Sequence, residues 1–189
     1  MILWSILIAA TILYRILCPF VDGLLNFSPV MALAFCAAIY TGRKSAVLFP
    51  LLALAISDII LNLHFGVAAF NVSSLAAYAC YIVAAAMGVW VSQHKNWINI
   101  FTGTLASALL FYLVTNSLCW LDNPVYAKTF AGWVQALTTG QPGFPPTIVF
   151  FRNSLVGDLI FTGVFVSCME FAAQRAGRIS LFQKAHSAV

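Results

Sequence analysis

Two short stretches set ionisable and amide side chains inside apolar runs. FFRNSLVGDLIF, residues 150–161, holds Arg152, Asn153 and Asp158, and LALAISDIILNLHFG, residues 52–66, holds Asp58, Asn62 and His64. Insertion scales put the cost of an Arg or Asp at the centre of a membrane helix at about 2.5 to 3.5 kcal/mol. Groups at that depth therefore face a bundle interior or a wet cavity, where they bind a ligand or neutralise one another. Asn26, at the head of NFSPVMALAF, and Asn116, in VTNSLCWL, add two amides to the set. The chemistry on offer is orientation of a small polar ligand. It is not catalysis: H-E-x-x-H, a Gly-rich phosphate loop and G-x-S-x-G are all missing from the chain. We expect a protein that is not an enzyme and that uses no cofactor or metal.

The elements that must position these groups follow from composition. Of 189 residues, 62% are hydrophobic and 7% charged, against about 25% charged in soluble domains. Such a chain has too little charge to cover a water-facing surface, and we read an all-α, polytopic membrane protein partnered by the lipid bilayer. The net charge of +4 comes from scattered basic residues, without the basic, aromatic-interleaved face that nucleic acid requires. Cys18, Cys36, Cys80, Cys119 and Cys168 lack metal or redox spacing and read as small buried hydrophobes. The apolar N-terminus lacks a basic n-region and a cleavage site, and reads as a retained first helix.

A spanning helix takes about 20 mostly apolar residues. Six segments are expected to form a six-helix bundle, at about 2–21, 27–42, 45–65, 72–92, 98–120 and 147–172. Ser28 is expected to cap the second helix, with Pro29 in its first turn, and Pro50 to loosen the third. Between spans five and six, YAKTFAGWVQAL has the pattern of a short interfacial helix at about 126–137, which QPGFPP then ends. Arg43, Lys44, Lys95, Arg175, Arg178 and Lys184 fall on one side, so the positive-inside rule puts both termini in the cytoplasm.

With that orientation, a rise of about 1.5 Å per residue puts Asn26, Asp58, Asn62, His64, Asn116, Arg152 and Asn153 in the outer half. The cytoplasmic half is nearly free of polar side chains in this reading. Asp158 lies near the middle, on a stripe with Ser154 and Thr162 at i−4 and i+4. Arg152 and Asp158 stand about 120° apart on one helix and are not expected to pair. The bias points to a cavity open to the outside, walled by aromatics such as Phe65, Phe70, Tyr112 and Phe151. Asp58 and Arg152 are alternatively a neutralising structural pair, and Arg15 is expected to snorkel. Ala34 and Ala38 form a small-xxx-small pair for close helix contact, inside the bundle or with another protein.

NFSPVMALAF, the set Pro50, Ser57 and Asp58, VTNSLCWL and FFRNSLVGDL together resemble an uncharacterised bacterial family of six-helix integral-membrane proteins with a proposed transport role. That family is in turn similar to the S components of energy-coupling factor (ECF) vitamin transporters. The resemblance implies a subunit of the bacterial inner membrane that captures a vitamin-like small molecule outside. It also implies partners, an ECF-type coupling protein with two ATPases, and assigns Ala34 and Ala38 to the contact with the coupling protein. Asp58, Asn116, Arg152 and Asn153 would line the substrate pocket, with Asn26, Asn62 and Asp158 behind them. The competing expectation is an accessory subunit of a larger membrane complex.

Overall fold

In lipid each backbone polar group must be satisfied within its own segment or its neighbours, so long apolar runs become helices. The computed structural model describes residues 2–21, 23–41, 43–66 and 72–181, and among these it contains no strand. The helices are α1 (Ile2–Leu17, continued by a 3-10 turn Cys18–Phe20), α2 (Val30–Tyr40), α3 (Arg43–Phe65), α4 (Val72–Gln93), α5 (Trp97–Asp122), α6 (Phe130–Leu137) and α7 (Thr147–Arg175). Asn96 caps α5 by accepting the Asn99 N–H at 2.8 Å. Thr129 caps α6 in the same way through the Gly132 N–H, at 3.2 Å. Pro50 sits inside α3 without ending it. Pro29 occupies the capping position of α2, so Ser28 precedes the cap that sequence assigned to it.

Five segments are long and apolar enough to cross a bilayer: Ile2–Phe20, Val47–Phe65, Ser74–Gln93, Trp97–Asp122 and Thr147–Arg175. The expected second span is different. α2 has 11 residues, about 16 Å of helix, which is roughly half the ~30 Å hydrocarbon core. Every residue from Val30 to Ile39 is buried. A helix apolar all round belongs in an interior, and α2 is packed by α1, α3, α4, α5 and α7.

Small residues let its neighbours approach. A Cβ on Gly88 of α4 would stand 2.5 Å from the Phe35 carbonyl oxygen and 2.7 Å from the Ala38 Cβ. A Cβ on Gly103 of α5 would meet the Phe35 ring at 2.5 Å. Ala34 and Ala38 are 0% and 2% exposed. The small-residue pair is used up inside the bundle, and the partner-contact role expected of it is corrected. Side chains such as Ile2, Leu63, Leu75 and Ile98 are exposed on the outer helices, an apolar coat suited to lipid.

Contacts tie the helix ends into two poles. At one pole α3 meets the end of α1 and the first half of α4, and the start of α7 meets the segment before α2. At the other, Tyr40, Lys95 and Glu170 converge from α2, the α4–α5 turn and α7. Lys44, Arg175 and Arg178 follow this second, basic pole in the chain.

Candidate functional site

Because α2 stops short, its column is not filled by helix at the first pole. A cavity of about 390 Å³ occupies that region, within the range of small-molecule sites. Met31, Tyr81, Phe111, Tyr112, Phe150 and Phe151 supply apolar and aromatic wall; Arg15, Asn26, Ser28, Thr115, Asn116, Ser154 and Asp158 supply polar groups. Tyr126, Gln141, Phe144 and Pro145, from the segments flanking α6, form a rim over it. The rim is anchored: Trp133 Nε1 donates to Ser117 Oγ at 2.8 Å, and the Tyr112 hydroxyl donates to the Leu137 carbonyl. Burial raises the Tyr126 phenol above its ordinary pKa.

The first pole's charges divide between two jobs. Arg15 Nη1 lies 2.5 Å from Asp58 Oδ1 and donates to Ser57 Oγ at 2.5 Å, and the Tyr78 hydroxyl donates to Asp58 Oδ2 at 2.8 Å. Asp58 is thus a structural carboxylate joining α1, α3 and α4. Its partner is Arg15, which sequence left to snorkel, and not Arg152. Asp158 is only 4% exposed and lines the cavity. The Ala32 N–H, in the first turn of α2, hydrogen-bonds its carboxylate, a position the helix dipole favours.

The expected site residues separate accordingly. Asn26, Asn116 and Asp158 line the cavity; Asp58, Asn62, Arg152 and Asn153 do not. Arg152 is exposed, and its Nε and Nη2 donate to Asn153 Oδ1 at 3.3 and 3.1 Å. Asn153 donates through Nδ2 to the Gly23 and Leu25 carbonyls, each at 3.0 Å, and so pins the α1–α2 connection. Asn116 Nδ2 turns back to the Tyr112 carbonyl at 2.8 Å. Asn26 holds a left-handed backbone (φ 61°), and its carbonyl accepts Ser154 Oγ at 3.0 Å. Asn62 is half-buried on α3. His64 packs edge-on against Phe20 and Phe65 at the surface, so Phe65 is not cavity wall; Phe70 lies outside the described residues. Thr162, on the Asp158 stripe, meets Thr104 of α5 at 3.2 Å.

The second pole holds a group that sequence reasoning passed over. Glu170, fully buried, accepts Tyr40 OH at 2.6 Å, Lys95 Nζ at 2.7 Å and the Leu181 N–H at 2.6 Å. Its signal was present, as a glutamate within a helix whose neighbours are apolar. This half is therefore not free of polar side chains.

The bundle of membrane-length helices with a cavity at one pole defines the class: an all-helical, multi-pass membrane protein. More narrowly, the chain belongs to a family of unknown function, DUF6580, whose model matches residues 1–182. Neither the curated proteins nor the solved structures provide a match.

Proposed function

We propose that the protein is a substrate-binding subunit of a membrane transport system, of the ECF S-component type, which captures a small vitamin-like micronutrient. The observation that carries this reading is the cavity at the first pole. It combines aromatic walls with convergent polar groups and lies beneath a rim that belongs to connecting segments rather than to the bundle. Sites of that make-up hold small molecules, and connecting segments at the mouth suit entry and release. The basic pole, by the positive-inside rule, faces the cytoplasm, which turns the cavity outward toward a substrate in the bacterial envelope. Release inward would then depend on a coupling protein and ATPases. With Ala34 and Ala38 buried, any docking of such a partner uses other surfaces. An accessory-subunit role leaves the cavity without a purpose.

The test is mass spectrometry of metabolites that co-purify with the wild-type protein and with Thr115→Phe, which fills the cavity without altering its charges. One small molecule enriched in the first and lost in the second is the expected outcome. Equal metabolite content in a folded Thr115→Phe variant refutes the proposal.

A further inference from the structure

Resting on that reading of the cavity, we infer that its ligand is an organic cation, a protonated amine or cationic nitrogen ring, bound by Asp158 against aromatic walls. The inference comes from an inventory of charge. Among the described residues that line the cavity, Arg15 supplies the one guanidinium and Asp158 the one carboxyl group. The Arg15 guanidinium already faces the Asp58 carboxylate at 2.5 Å, and Asp58 in turn accepts Tyr78 OH. That pair is electrically closed. Asp158 has no such counter-ion: among the described residues no Lys, Arg or His forms an ion pair with it, and the ion pairs that do form are Arg15–Asp58 and Lys95–Glu170. The cavity therefore presents one carboxyl group without a counter-ion.

Such a carboxyl favours a guest that brings a positive charge, because burial penalises its ionised form until that form is paired. Once paired with such a guest and ionised, the group has the Ala32 N–H as a backbone donor and keeps other lone pairs for a ligand N–H. The walls fit the same guest. Tyr81 and Phe111 lie 5.5 Å apart between ring centroids, and Tyr112 stacks on Phe151 at 4.3 Å. All four line the cavity, and aromatic faces attract cations once water is removed. An anionic guest would meet Asp158 directly and would have to draw Arg15 away from Asp58.

The test uses three probes of one shape and three charges on the full chain in lipid nanodiscs: 2-phenylethylammonium, 2-phenylethanol and phenylacetate. Binding is read by calorimetry at neutral pH. The expected order is ammonium first, by about 10-fold or more over the alcohol, with phenylacetate weakest; a charge-assisted hydrogen bond has that magnitude. Asp158→Asn is expected to erase the preference while leaving the alcohol within about 3-fold. Phenylacetate binding best, or the ammonium and alcohol binding alike, overturns the cation assignment while the cavity stands. No binding by any probe, together with unchanged metabolite content in Thr115→Phe, removes the cavity reading and this inference with it. If Asp158→Asn does not fold, the three-probe order on the wild-type protein decides alone.

Discussion

The Arg15–Asp58 pair makes the sharpest stability test, because sequence offered a different partner for each member. The two side chains are 23% and 19% exposed, so the pair is mostly but not wholly withdrawn from water. Arg15→Met leaves the Asp58 carboxylate with Ser57 behind it and the Tyr78 hydroxyl as its donor, but without a counter-charge. Breaking one side of a buried pair costs about 3 to 5 kcal/mol, and partial exposure puts this case near the lower value, about 3 kcal/mol. In a chain of this size that amounts to roughly 6 to 12 °C in Tm. Replacing both members by apolar residues of similar volume is close to neutral for buried pairs in general. Arg15→Met combined with Asp58→Leu is therefore expected to recover most of the loss, to within about 1 kcal/mol of wild type. The assay is thermal unfolding in detergent, followed by tryptophan fluorescence, as a double-mutant cycle. If the two single effects simply add in the double variant, or if Arg15→Met melts with the wild type, the structural-pair argument fails. Arg152→Met serves as the control, since Arg152 does not contact Asp58.

Three further outcomes follow from the same contacts. Asn153→Leu removes both donors to the Gly23 and Leu25 carbonyls. It is expected to cost about 2 to 4 kcal/mol in the same melt, whereas exposed Arg152→Ala should stay within about 0.5 kcal/mol of wild type. Gly88→Ala drives a methyl group into the Phe35 carbonyl and the Ala38 Cβ, at a cost of about 1 to 3 kcal/mol. Gly163→Ala, with nothing within 4 Å of its added Cβ, should be neutral or stabilising by about 0.5 kcal/mol; comparable melts for the two glycine variants would contradict the packing described. Glu170→Gln sets an amide donor among three donors, from Tyr40, Lys95 and Leu181. Exchange of the Leu181 amide hydrogen should then speed up by at least about 10-fold, read by hydrogen-exchange mass spectrometry.

How far the sequence could be read differs from residue to residue. The long spans were legible because lipid leaves a run of apolar residues no other structure. Arg15 and Asp58 meet near one pole, as their places along α1 and α3 allow. What depth could not choose was the partner: Asp58 lies 43 positions from Arg15, and nothing in that separation ranks it above Arg152. Helix rotation decides, and rotation is set by packing. The interior position of α2 was within reach, since VMALAFCAAIY is apolar on every face. The expected span 27–42 is longer than this helix, and Ser28, among its extra residues, lines the cavity instead. Tyr81, Tyr126 and Gln141 were not legible as cavity residues, because α4 and the segments flanking α6 carry no polar signal that points to one volume. Glu170 was visible but passed over, because a glutamate near a helix end does not announce in sequence that it is fully buried.

The brevity of α2 also bears on how the chain is made. A segment of 11 residues offers the insertion machinery a weak stop compared with the ~20 residues that partition into lipid alone. Its apolar surface is satisfied largely by α3, α4 and α7, all of which leave the ribosome later. α2 is accordingly expected to wait near the translocon and to settle when its later neighbours close around it. The segment before α2 and the cavity floor would then be the last parts of the first pole to take shape, so a nascent chain released before α7 emerges would carry all of α2 and none of Asp158.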